Sequence, residues 1–123
     1  MIRAVWTGTA VSDNDRLCHG KGGRFFANRE YLAFKKAMAE SIWVDSLTRA
    51  DIPIMGHIAV TLQVDLPPRM DTSAIIKAAG DAVEISGAIH NDNQIDRWVV
   101  ERVGRSPRGQ SRIEFQIEEV ANG

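Results

Sequence analysis

The clearest alternation of apolar and polar positions runs from His57 to Leu66. Ile58, Val60, Leu62, Val64 and Leu66 share one face, and His57, Ala59, Thr61, Gln63 and Asp65 share the other. A period of two over ten residues predicts a strand with one buried face. Pro67-Pro68 ends it, because proline cannot donate to the ladder. His57, on the polar face, reads as a plain surface residue. Between Asn28 and about Arg49 the period changes. Tyr31, Phe34, Met38 and Ile42 recur at steps of three and four, the stripe of an amphipathic helix with Asn28 as its N-cap. The helix should stop before Pro53.

Elsewhere the pattern is shorter. Ile2–Thr7 is a β-branched apolar run and predicts a first strand. Residues 8–23 are polar and rich in Gly, Asn and Asp, and read as one long loop, a length that in a compact domain usually signals function or mobility. A second helix is expected over Ser73–Glu84. Ile75, Ile76, Ala79 and Val83 form its buried side, and Lys77, Asp81 and Glu84 share its polar face. Gly80 costs this helix roughly 1 kcal/mol relative to alanine, so something should approach the backbone closely there. Ile95–Val103 and Arg112–Val120 predict an antiparallel pair joined by the basic, turn-rich GRSPRGQS. The order β-α-β-α-β-β gives an α+β fold, a small domain spanning residues 1–123 with helices packed on a mixed or antiparallel sheet.

Composition adds little to this picture until charge is mapped. The 123 residues are 44% hydrophobic and 25% charged, as in an ordinary globular domain. The one cysteine, Cys18, has no internal partner and suits a reducing, cytoplasmic setting. No stretch is long and apolar enough for a membrane span, and MIRAVWTGTAV lacks the core of a secretory signal. Net charge is −1, yet the charges are sorted. Arg16, Lys21, Arg24, Arg29, Lys35 and Lys36 surround the single acid Glu30, and Arg102, Arg105, Arg108 and Arg112 follow one another without an acid. Two basic patches around an acidic middle suit a phosphate backbone, and solvated basic loops explain them equally well. Arg16, Lys21, Arg24, Arg105 and Arg108 are the candidate phosphate contacts.

Asp71, Lys77 and Asp92 are the residue types of a metal-assisted phosphodiester site. Mg²⁺ takes oxygen ligands, often one or two carboxylates with waters and substrate phosphate, and a lysine beside it steadies developing negative charge. Without function, the same residues read as a helix cap, an i,i+4 ion pair between Lys77 and Asp81, and a turn aspartate. His19, His57 and His90 are scattered, so no zinc spacing exists, and neither GxSxG nor GxxxxGK[ST] occurs.

The string DTSAIIKAAGDAV at residues 71–83, followed by SGAIHNDNQI, resembles the core signature of the RusA-type Holliday junction resolvases. That signature runs D-x-D-N-x-x-K-x-x-x-D-x-L, then a glycine-containing turn, then D-D-x-Q-[IV]. Asp71, Lys77, Asp81, Gly87, Asp92, Gln94 and Ile95 match in register, and SDNDR at residues 12–16 resembles the loop after the family's first strand. The resemblance implies a homodimer that nicks four-way DNA junctions with Mg²⁺ or Mn²⁺ in recombination, repair or phage DNA processing. Asp71 and Asp92 would bind the metal, Lys77 would be the catalytic lysine, and Asp81 would be structural, pairing with Lys77. Ser73 stands where the family has its second aspartate, Ala74 replaces an asparagine, and Asn91 replaces the first acid of the D-D pair. Such a site keeps two of three carboxylates, with Asp65 or Glu84 as possible substitutes. The alternative is a relative that binds branched DNA or a protein partner without cutting.

Overall fold

The computed structural model describes residues 1–23, 25–47 and 52–120, apart from the side chains of His19 and Lys21. The chain is α+β. Strands β1 (Ile2–Gly8), β2 (Leu17–His19) and β3 (Phe25–Ala27) precede helix α1 (Arg29–Ser46). Then come β4 (Ile58–Leu66), α2 (Ile76–Ile85), β5 (Ile95–Arg105) and β6 (Ser111–Glu119). Four strands make a mixed sheet in the order β1-β6-β4-β5, and β2 and β3 form a separate antiparallel pair.

β4 is central and behaves as its alternation predicts. Ile58, Val60, Leu62, Val64 and Leu66 are fully buried, each worth roughly 1.5–3 kcal/mol when taken out of water. Its other face is half-buried. Across it stand Ile113, Phe115 and Ile117 of β6, and on the same side pack Tyr31, Phe34, Met38 and Ile42 of α1. Asn28 caps α1 as its position suggests, its Oδ1 accepting from Glu30 N at 2.9 Å. The expected end of the helix near Arg49 lies outside the described residues. Trp6 of β1 meets Phe34 edge-on, with centroids 4.8 Å apart, and this ties the first strand to α1.

The expected hairpin of the last two strands does not form. β5 pairs with β4 in parallel, and β6 inserts between β4 and β1, antiparallel to both. The reason is the connection. β4-α2-β5 is a crossover unit, which lays β5 beside and parallel to β4. Burial then decides the order. β6 carries the apolar set able to occupy the interior of the sheet, whereas β5 leaves Val99 and Val103 exposed and suits an edge. The connecting segment crosses the end of β4, with Ser106 N donating to Leu66 O, and reverses at residues 107–110, where Gly109 takes φ +90°.

Residues 8–23 are also more ordered than a plain loop. They hold a 3-10 turn at Asp13–Asp15, and β2 then pairs with β3. The second helix is preceded by a 3-10 turn, Thr72–Ile75, so α2 proper starts at Ile76. Ile75, Ala79 and Val83 are buried as expected, but Ile76 is only half-buried and lines a surface cleft. His57 pairs with Asp96 at the surface, 3.0 Å apart. Among the described residues, no helix is long and apolar enough to cross a membrane.

Candidate functional site

Asp71 sits in extended backbone just before the Thr72–Ile75 turn, and its side chain makes no capping bond. The cap of α2 arrives from a distant part of the chain. Asp13 points its carboxylate at the start of α2, where Oδ2 accepts from Lys77 N and Oδ1 from Ala78 N, each at 3.0 Å. Oδ1 also accepts the Tyr31 hydroxyl at 2.8 Å. One side chain thus joins the 9–16 segment, α1 and α2. It places a negative charge on the positive end of α2, so that helix end is already filled from within. Arg16 donates from Nη1 to the Asp13 carbonyl at 2.9 Å and so steadies the same turn while remaining exposed.

Tyr31 is almost fully buried. Burial pushes its hydroxyl pKa up, and the hydrogen bond to Asp13 and the negative charges of Asp13 and Asp81 push it further, against a smaller opposing effect of Arg16. Lys35 lies over the Tyr31 ring, 5.3 Å from its centre, and its Nζ is 3.1 Å from Asp81 Oδ2. Asp81 therefore pairs across the helix interface with Lys35, and the expected Lys77–Asp81 pair is absent among the described residues. The α1–α2 contact turns Asp81 towards α1, where a half-buried partner holds it better than a solvated one i,i−4 along its own helix.

This leaves the Lys77 ammonium exposed and without an ion pair among the described residues. Lys77, Asp81 and Asp92 line one small cleft of about 170 Å³ with Ile76, Gly80, Ile95 and Trp98. Gly80 faces this cleft. A Cβ on it would lie 3.4 Å from Trp98 Cζ2, so the indole packs against bare helix backbone and floors the cleft.

Asp92 opens a 3-10 turn, Asp92–Gln94, braced by hydrogen bonds both within it and to its surroundings. Asn91 Oδ1 accepts from Asn93 N, and Gln94 Oε1 accepts from His90 N and Asn91 N, a reciprocal capping box. Gln94 Nε2 donates to the carbonyls of Ile54 and Gly56, both at 2.8 Å, and fastens the turn to the segment before β4. Glu84 Oε1 accepts from Asp92 N at 3.0 Å, which sets a second carboxylate beside Asp92. The other suggested substitute, Asp65, turns against Gly104, has a buried Oδ1 without a hydrogen-bond partner among the described residues, and lines neither this cleft nor the one that holds Asp71.

Asp71 belongs to a larger neighbouring cleft of about 650 Å³, lined by the 10–18 segment together with Arg69, Met70, Ala74 and Arg108. Lys77 and Asp92 thus line one cleft and Asp71 lines the other. Among the described residues, no group of three His, Cys, Asp or Glu side chains is gathered to hold a metal. The available donors suit a cation held by one or two carboxylates and completed by substrate phosphate, not a protein cage. Ser73 is exposed, and its carbonyl accepts from Ile76 N.

Of the expected phosphate contacts, Arg105 is exposed at the end of β5, and Arg108 is exposed beside Glu30, Nη2 to Oε2 3.7 Å. The Lys21 side chain and Arg24 lie outside the described residues. Arg102, part of the second basic run, is structural. Its guanidinium donates to the carbonyls of Leu66, Gly104 and Met70 and clamps the segment leading into Asp71.

Sequence patterns missed Asp13, Arg102 and the bracing by Gln94. An aspartate in a polar loop and an arginine in a strand carry no local sign of partners more than thirty residues away. Gln94 matches the resolvase motif, but its task shows only in the fold. Compared with known proteins, the chain matches no family model and no curated protein.

Proposed function

We propose that the chain is a metal-dependent, structure-selective endodeoxyribonuclease of the RusA type. It nicks four-way DNA junctions as a two-fold homodimer in the cytoplasm of a bacterial or phage-infected cell. The observation that carries the reading is the shared cleft of Lys77 and Asp92, in which the lysine has no ion pair among the described residues. The register of Asp71, Lys77, Asp92 and Gln94 in the sequence supports it. By the resemblance Asp92 and Asp71 would hold Mg²⁺ or Mn²⁺, although Asp71 lines the neighbouring cleft, and the metal would supply an activated water and charge neutralisation at the scissile phosphate. The Lys77 ammonium binds a non-bridging phosphate oxygen and steadies the charge that grows there in the transition state. Asp81 stays outside this chemistry because Lys35 holds it. Arg105 and Arg108 bind the DNA backbone, so affinity falls steeply with salt as counterions are released. Two equivalent sites in a symmetric dimer match the two equivalent strands of a junction.

The test is cleavage of a synthetic four-way junction with Mg²⁺ or Mn²⁺, beside an Asp92→Asn control. Nicking that vanishes in the control is expected, and no nicking across a wide metal range refutes the enzyme. A second reading has its own observation, the neutral Ser73 at the position of an expected carboxylate together with the missing three-acid group among the described residues. It makes the chain a binder of branched DNA that does not cut. Gain of nicking in Ser73→Asp from an inactive parent supports this binder, and an active parent excludes it.

A further inference from the structure

The outward face of α1 is unusually apolar for a helix that borders solvent. Leu32, Trp43, Val44 and Leu47 are all exposed, with Trp43 and Val44 at 51% and 59%. Beside them a shallow groove between β1 and α1 is lined by Val5, Ala37, Glu40 and Val44, and Val5 is exposed too. Apolar side chains gathered on one exposed face in this way often mark an interaction surface. Its charges are of both signs. Arg29 and Lys36 lie toward the N-terminal half and Glu40 toward the C-terminal half, while Asp45 turns to β1 and accepts from Arg3 N at 2.9 Å, and Lys36 and Glu40 form no ion pair among the described residues. Mixed charge around an apolar centre is a poor seat for a polyanion, so this face suits a protein partner better than a phosphate backbone.

The order of residues along the face is self-complementary. Lay a second α1 against the first, antiparallel, with the two-fold axis level with Met38. Leu32 then meets the second copy's Trp43, Ala33 its Val44, and Lys36 its Glu40, and every pair recurs by symmetry. Helical periodicity puts the members of each pair at nearly the same angle around the axis, so they meet without rotating either helix. Ala33 is small enough to let the helices approach, and the antiparallel dipoles add to the match. We propose that this α1 face is the surface through which two copies of the chain associate, with Trp43 as the apolar anchor and the reciprocal Lys36–Glu40 pairs setting the register. The proposal deepens the homodimer of the preceding section and names its surface.

The experiment is sedimentation equilibrium of the full chain without DNA or metal, with circular dichroism to check folding. The wild type should dimerise. Glu40→Lys and Lys36→Glu should each weaken the dimer roughly tenfold, because each sets like charges together twice across the two-fold. The double exchange, Lys36→Glu with Glu40→Lys, should restore it, a rescue that a folding defect cannot imitate. Trp43→Ala should yield monomer. A wild type that stays monomeric overturns the proposal, as does a dimer indifferent to these four variants. Neither result touches the cleavage test, and a chain that dimerises as described but never nicks leaves this interface standing while the nuclease falls.

Discussion

Asp13→Ala is the sharpest probe of how the site is held. The substitution removes the acceptor of three hydrogen bonds, from Tyr31 Oη, Lys77 N and Ala78 N. Loss of a helix cap costs about 1 kcal/mol, and loss of a negative charge at the helix N-terminus costs several tenths more. The Tyr31 hydroxyl, in a residue only 3% exposed, loses its partner in a place water cannot easily reach, which costs about 1–3 kcal/mol. Neighbouring losses do not add fully, so about 3 kcal/mol is expected in total. Asp13→Asn should cost about half as much. With its oxygen in the Oδ1 position it keeps Tyr31 and Ala78, but its NH₂ group then faces the Lys77 N–H, donor against donor. Urea unfolding followed by tryptophan fluorescence gives both values. A double-mutant cycle with Tyr31→Phe should show coupling of about 1–2 kcal/mol. A loss below about 0.5 kcal/mol for Asp13→Ala, the range of ordinary surface changes, refutes the reasoning, as does zero coupling to Tyr31.

Three more outcomes are expected. Tyr31 is the only tyrosine, so the phenolate absorbance of the chain reports it alone. Its folded pKa lies above the usual value of about 10. Stability from this group is therefore complete below pH 10 and is lost as pH rises from there, because the unfolded chain ionises first. The native protein should show no tyrosinate until it unfolds, and Tyr31→Phe should flatten the alkaline limb; a normal titration in the folded protein contradicts this. Gln94→Ala should destabilise by about 2–3 kcal/mol, since it strips partners from two backbone N–H groups and two carbonyls, and hydrogen exchange should rise in residues 90–95. The two packed glycines should respond in opposite directions by thermal melting. Gly80→Ala should stabilise by about 0.5–1 kcal/mol, because the new methyl meets Trp98 at ordinary contact distance and helix propensity improves. Gly104→Ala should destabilise by about 1–3 kcal/mol, because its Cβ would lie 2.9 Å from Asp65 Oδ2.

The roles of acids and bases were legible only where both partners lie close in sequence. Asn28 declared itself as a cap because its target is two residues away. Asp81 did not reveal Lys35, since local spacing offers Lys77 at i−4 and says nothing of another helix. Arg102 looked like part of a basic patch, yet three carbonyls at the end of β4 and beyond absorb its guanidinium. Gly80 stood between the two cases. Its helix penalty signalled a close approach, and the fold supplied Trp98 as the residue that approaches.

By itself the sequence determined what depends on short periods. The buried face of β4, the stripe of α1, the existence of α2 and the α+β class all follow from which side chains must leave water, and local spacing encodes that directly. Tertiary structure decided what depends on who lies next to whom. It placed β6 between β1 and β4, because a parallel crossover and the demand for an interior strand with a fully buried face outweigh the nearness of β5 along the chain. It sent Asp13 to the start of α2, turned Asp81 to Lys35, and set Lys77 in one cleft with Asp92 and Asp71 in the next. Each of those outcomes is set by contacts between distant segments, where a carboxylate takes whichever donors the packing of apolar faces brings within 3 Å.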